Sequence, residues 1–276
     1  FEDRRFAGCA AVRAAERQFC RRRLCVTFSL PDPATSLSAA LPVTSEQPFA
    51  LDHAQAYARW RERKLACYPR RAEDLIVEVR DPRNLSEAEA GEIRRVCRAA
   101  NMAVYVSPLA GLADKDIARR LGARLGLERL QANPLADEDG ISSLEVAPGK
   151  SARGYIPYSN RRLLWHTDGY YNAPGERIRA FILHCVRPAA AGGENRVLDP
   201  EIAYILLRDA DPCYVEALSA ADAMTIPANE EDAAAARPAQ TGPVFTSDGG
   251  TLHMRYTART RSIEWRADEA TQAALQ

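Results

Sequence analysis

The residues with the clearest chemical potential lie in Leu163-Leu164-Trp165-His166-Thr167-Asp168-Gly169-Tyr170-Tyr171-Asn172. On an extended segment, residues two apart project to the same side of the backbone. His166 and Asp168 would then set an imidazole nitrogen beside a carboxylate oxygen. Those are two of the three donors in the 2-His-1-carboxylate arrangement, which holds non-haem Fe(II) and leaves positions open for substrate and oxygen. The same spacing also serves a buried histidine bonded to an aspartate with no metal at all. A second signature follows at Ala191-Gly192-Gly193-Glu194-Asn195, a glycine corner that ends on a turn-type asparagine.

The remaining histidines are His53, His184 and His253. His184 lies in Phe181-Ile182-Leu183-His184-Cys185-Val186, where strand alternation sets it with Ile182 and Val186 and favours a packed or hydrogen-bonded role. His53 opens an early helical stretch and reads as a surface residue. Tyr155, Tyr158, Trp165, Tyr170 and Tyr171 flank the His166–Asp168 pair. They suit core packing, or a wall able to hold a cationic substrate by attraction to the ring faces. Arg161, Arg162, Arg255, Arg259 and Arg261 could equally hold an acidic one, so composition leaves the substrate's charge open.

These side chains need a scaffold, and the pattern supplies short elements. His53 to Lys64 reads as a helix with Ala56, Trp60 and Lys64 one turn apart. Leu75 to Val79 reads as a strand. Ser86 with Glu89 forms a capping box that opens a helix to about Arg98. Ala103 to Val106 is another strand, and Lys115 to Leu125 a helix with Ile117, Leu121 and Leu125 on one stripe. Further strands are expected at Ser142–Val146, before and through Trp165, at Arg179–Val186, and as a late strand or hairpin across Leu252–Trp265. Two helices, Glu201–Arg208 and Cys213–Ser219, are separated by Pro212. Many short strands with helices to one side predict an α+β protein with a double-stranded β-helix core, the jelly-roll and cupin type, and flanking helices.

The chain has 276 residues, Lys+Arg 37 against Asp+Glu 37, which removes any bulk electrostatic case for nucleic acid or an anionic membrane as a partner. No apolar run is long enough to span a bilayer. The seven cysteines are odd in number and scattered, which predicts reduced thiols and a cytoplasmic protein. Cys20 and Cys25 match no common metal spacing. Residues 1–48 read as a peripheral extension: a basic helix over Ala10–Cys25, then a linker of Pro, Ser, Thr and Ala from Pro31 to Pro48. Residues 49–276 read as one domain, with a possible homo-oligomer left open.

The run Trp165-His166-Thr167-Asp168, followed by Arg187-Pro188-Ala189-Ala190-Ala191-Gly192-Gly193-Glu194-Asn195, resembles the taurine dioxygenase-like family of Fe(II)- and 2-oxoglutarate-dependent oxygenases. The resemblance extends from about Asp74 to the C-terminus and is most specific between Tyr155 and Asp199. It implies a small-molecule substrate, with Fe(II) held by His166, Asp168 and a distal histidine. It also implies 2-oxoglutarate and O2 as co-substrates, with decarboxylation to succinate and hydroxylation of a C–H bond. Asn195 would contact the 2-oxoglutarate carboxylate region, and a distal arginine would pair with its far carboxylate. By spacing, His253 and Arg266 fit the distal roles. By surroundings, Leu252–Arg259 resembles instead the strand before that motif, which implies a domain incomplete at its C-terminus. The rival expectation is a catalytically incomplete relative that serves as a binding or scaffold protein.

Overall fold

The computed structural model describes residues 17–19, 24–28, 47–109, 111–130, 140–146, 156–230, 236–248, 250–259 and 263–276, the first two segments through their backbone pairing alone. Its strands are β1 (Arg17–Phe19), β2 (Leu24–Phe28), β3 (Ile76–Glu78), β4 (Met102–Val106), β5 (Ala180–Ile182), β6 (Asn195–Val197), β7 (Met224–Ile226), β8 (Gln240–Gly242), β9 (Phe245–Asp248), β10 (Thr251–Met254) and β11 (Glu264–Trp265). Its helices are α1 (Ala54–Cys67), α2 (Glu87–Ala100), α3 (Asp116–Arg124), α4 (Pro200–Ala210), α5 (Pro212–Leu218) and α6 (Glu269–Ala274).

The largest sheet runs β3-β4-β2-β5. β3 and β4 are parallel and joined by α2, a strand–helix–strand crossover, whereas β2 is antiparallel to both β4 and β5. α2 begins where the sequence says it should. The Ser86 hydroxyl accepts from the Glu89 amide at 3.3 Å, and the Glu89 carboxylate accepts from the Ser86 amide at 2.8 Å. Ala90, Ile93, Val96, Cys97 and Ala100 recur at helical spacing and are all buried against the sheet. β4 is covered on both faces, so Met102 to Tyr105 form an unbroken buried run rather than an alternating one.

The second half forms β11-β7-β8 and the β9–β10 hairpin, its β6 pairs with β1 from the N-terminal segment, and it carries α4 and α5. Asp199 caps α4 ahead of Pro200 by accepting from the Glu201 amide at 2.8 Å, and Asp211 caps α5 ahead of Pro212 in the same way. Asp199 is fully buried. It also accepts from Asn101 at 2.9 Å and pairs with the buried Lys64 ammonium at 2.7 Å. One carboxylate thus ties α1, the end of α2 and the start of α4 together. Burial pushes its pKa up against the pull of Lys64.

Mixed helix and strand is the observed class. The described strands fall into four separate sheets, and a double-stranded β-helix is not among them. Two strands come from the segment expected to be peripheral, and β2 takes an inner place between β4 and β5. Its sequence, Leu-Cys-Val-Thr-Phe, is apolar, aromatic and β-branched, the composition an inner strand needs. Arg17–Phe19 is likewise strand within the expected basic helix. The rest of that helix, nearly all of the Pro31–Pro48 linker, Tyr155, Arg261 and most of the alanine run near Ala233–Ala236 lie outside the described residues. Ser142–Val146 forms no strand, and Leu144 and Val146 stand exposed, because alternation without a pairing edge carries no ladder. The strand expected over Arg179–Val186 is confined to β5, where β2 supplies the pairing.

Candidate active site

Trp165 to Thr167 lie antiparallel to the chain just beyond β10. Ala258 donates its amide to the Trp165 carbonyl at 2.7 Å, and Thr167 donates to the Tyr256 carbonyl at 2.9 Å, which sets His166 opposite Thr257. The Thr167 hydroxyl accepts from the Tyr256 amide at 3.0 Å, and Thr257 is buried. This short ladder holds the extended backbone that turns His166 and Asp168 to one side.

Gly169 then bends the chain. Its φ of +65° lies in the left-handed region, and a Cβ there would sit 2.5 Å from Ile178 Cγ1 and 2.9 Å from the Asn172 side chain. Asn172 closes the turn by donating its amide to the Gly169 carbonyl at 2.9 Å and its side chain to the Glu176 carbonyl at 2.9 Å. The bend returns Tyr170 to the pair, its ring edge-on to His166 with centroids 6.5 Å apart.

The His166 ring is oriented by its own strand. Nδ1 lies 2.7 Å from the Leu164 carbonyl oxygen, which can only accept, so Nδ1 carries the proton and the Nε2 lone pair is left available. Nε2 stands 3.5 Å from Asp168 Oδ1. An imidazole nitrogen and a carboxylate oxygen side by side are donor types that would hold a first-row divalent metal. The Asp168 carboxylate is the main influence raising the His166 pKa. Burial opposes it, the Leu164 carbonyl adds to it, and the Arg259 charge works against it. An imidazole beside a half-exposed carboxylate is suited to a cation, whether a proton or a metal.

The other expected site residues are not gathered there. Among the described residues no three His, Cys, Asp or Glu side chains form a group able to hold a metal, so the pair supplies two donors and His253 does not join them. His253 sits in β10 opposite Thr246. Burial, followed by the charges of Arg177, Arg179 and Arg255, drives its pKa down to about 4. That field disfavours a bound dication as it disfavours a bound proton. Arg266 follows β11, and its guanidinium faces Asp222 at 3.5 Å and Asp268 at 3.4 Å. It is engaged at the α6 cap rather than at the pair.

Asn195 begins β6, exposed and opposite Phe19, just after Gly192 and Gly193 with φ of +67° and +77°. The glycine corner is therefore real, and both positions need glycine's freedom. His184 Nδ1 lies 2.7 Å from the buried Tyr105 hydroxyl and Nε2 3.2 Å from the Leu112 carbonyl. Both ring nitrogens have partners, as the reading of a hydrogen-bonded histidine requires. His53 is exposed at the start of α1. Arg255 is committed to the Met224, Gly242 and Gln240 carbonyls. The Leu164 carbonyl and Thr257 were not anticipated. The apolar–polar alternation of the late strand carries Thr257, but not which strand it would face.

No helix among the described residues is long and apolar enough to cross a membrane. No solved structure matches the chain. A uridine-5'-phosphate dioxygenase from Amycolatopsis sp is 38% identical over 99 residues, 34% of this chain and 33% of that relative, so the match spans about a third of the relative's length. The profile of the taurine catabolism dioxygenase TauD, TfdA family matches residues 65–276, more than half of the molecule and including both His166 and Asp168, and the chain belongs to that family.

Proposed function

We propose that the protein is an Fe(II)- and 2-oxoglutarate-dependent oxygenase that hydroxylates a small organic molecule and releases succinate. The observation that carries this is the His166–Asp168 geometry: a 3.5 Å donor pair whose imidazole tautomer is set by the Leu164 carbonyl. Membership of the family supports the same reading, and the architecture inferred with it is a cupin-like double-stranded β-helix. When bound, the iron would supply activation of O2 at the expense of 2-oxoglutarate. The chain's own work is to hold donors. Leu164 keeps the Nδ1 proton, His166 offers Nε2, and Asp168 offers a carboxylate that balances a divalent charge. Tyr170 covers one side of the imidazole. Asn195, beyond the glycine corner, is assigned to the keto-acid region by its position in the family motif.

Uridine 5'-phosphate, named in the relative, is the first organic substrate to test. Purified protein supplied with Fe(II), 2-oxoglutarate, ascorbate and O2 should form succinate, and His166→Ala should abolish it. Folded protein that yields no succinate under these conditions, with or without uridine 5'-phosphate, would overturn the oxygenase reading in favour of a binding role.

A further inference from the structure

The metal pair does not select an organic substrate; the groups beside it must. Beyond the Gly169 bend, Tyr170 and Tyr171 pack edge to face with centroids 5.1 Å apart. Tyr170 lies against His166 and Tyr171 packs on Tyr170, so the two rings form a wall that starts at the donor pair. A guanidinium stands at each end of it. Arg259 Nη1 donates to the Tyr170 hydroxyl at 3.2 Å, and Arg237 lies over the Tyr171 ring at 5.5 Å while donating to the Pro227 carbonyl at 2.8 Å.

The strand register explains why Arg259 is there. Thr257 is opposite His166, cross-strand partners face the same side, and Arg259 is two residues further along. Arg259 therefore shares the face of the donor pair. Of the other arginines of this half, Arg179 faces Asp248, and Arg266 faces Asp222 and Asp268. Arg255 is spent on three backbone carbonyls. Among the described residues no carboxylate pairs with Arg259 or Arg237, and Arg259 keeps Nη2 and Nε for another acceptor. A planar guanidinium with two free N–H directions, braced by a buried tyrosine, matches the paired oxygens of a phosphate or carboxylate.

We propose that Arg259, positioned by Tyr170, receives a phosphate or carboxylate carried by the organic substrate, with Arg237 adding positive charge at the far end of the aromatic wall. The word substrate rests on the oxygenase reading above; the anion site itself does not. Because 2-oxoglutarate is also an anion, the two sources are separated by experiment. Metal-free protein is titrated with inorganic phosphate, followed through the NMR signals of the Tyr170 ring and the arginine side-chain N–H groups. Saturable shifts are expected in the native protein. Arg259→Gln should weaken binding at least about tenfold, Arg259→Lys less because charge remains while the fork is lost, and Arg237→Gln only about twofold to threefold.

The same variants are then loaded with Mn(II) and titrated with 2-oxoglutarate. Arg259→Gln should lose far less affinity for it than for phosphate. Absence of a saturable phosphate shift overturns the proposal, as does native-like phosphate binding by Arg259→Gln. A loss of 2-oxoglutarate affinity as large as the loss of phosphate also overturns it, by assigning Arg259 to the co-substrate. If Arg259→Gln does not fold, Arg259→Lys decides: native-like phosphate binding in it sinks the idea. Metal binding through His166 is measured separately, so the failure of the anion site and the failure of the oxygenase reading give different results.

Discussion

His166 and His253 stand on neighbouring chain segments of one half of the molecule, yet their surroundings drive them in opposite directions. His166 has a carboxylate 3.5 Å from Nε2 and a carbonyl on Nδ1, and its pKa rises. His253 has burial and three guanidiniums, and its pKa falls to about 4. The residue type is the same, so the difference lies in neighbouring charge and contact with water. A metal site needs donors whose field welcomes positive charge. Only one of these imidazoles has that field, and spacing along the chain does not reveal which.

The comparison is broken most directly by removing each partner. His166→Ala and Asp168→Ala should each lower Mn(II) or Fe(II) affinity by more than about a hundredfold, since losing even an outer partner of a ligand costs about 10–100-fold. His253→Gln should stay within about threefold of the native affinity, because it takes away no donor of the pair. Metal titration by calorimetry under anaerobic conditions measures all three. If His253→Gln lost as much affinity as His166→Ala, the field argument would fail and His253 would have to reach the metal.

A smaller effect tests the bend that presents Asp168 and Tyr170. Gly169→Ala places a methyl against Ile178 Cγ1 at a positive φ. The strained backbone costs about 1–2 kcal/mol and the overlap about 1–3 kcal/mol more. Thermal unfolding should register that loss, and metal affinity should fall by about tenfold as the pair is displaced. Adding Ile178→Ala should return part of the affinity by removing the overlap, while leaving the backbone strain. A double variant no better than Gly169→Ala would place the damage elsewhere.

Much of the first half was legible because its signals are local. Ser86 with Glu89 announces a helix start, and the run from Ala103 to Val106 announces a strand. Each depends on residues within one or two turns of one another. The closeness of His166 and Asp168 was legible for the same reason, since two residues on one extended segment need no knowledge of the rest. Long-range contacts were not. The segment from Leu24 to Phe28 has the composition of a strand, but no local cue indicates its pairing with residues near 103 and 181. Lys64 reads as one position on a helical stripe, whereas its partner Asp199 is recognisable only as a cap. His253 and Arg266 satisfied a spacing rule, but the arginines around one and the aspartates around the other come from distant segments.

The mildest test reads the field around His253 through pH. Its folded pKa of about 4 lies below its ordinary 6.5. Between those values the unfolded chain takes up a proton that the folded chain refuses. Stability therefore rises with pH through this window, is complete above the unfolded pKa, and is lost as pH falls toward the folded one. The full depression corresponds to about 3 kcal/mol, and partial contact of the ring with water reduces the expectation to roughly 1–2 kcal/mol. Urea unfolding of the native protein and His253→Gln should give curves that run together above pH 7 apart from a constant offset. Below it the native protein should lose stability faster, with the gap growing until about pH 4. Replacing Arg177 with Gln should shrink that gap without closing it, because burial remains the larger cause. Parallel curves across the whole range would mean that His253 takes up its proton in the folded state as readily as in the unfolded one, and the contrast with His166 would then rest on the carboxylate alone.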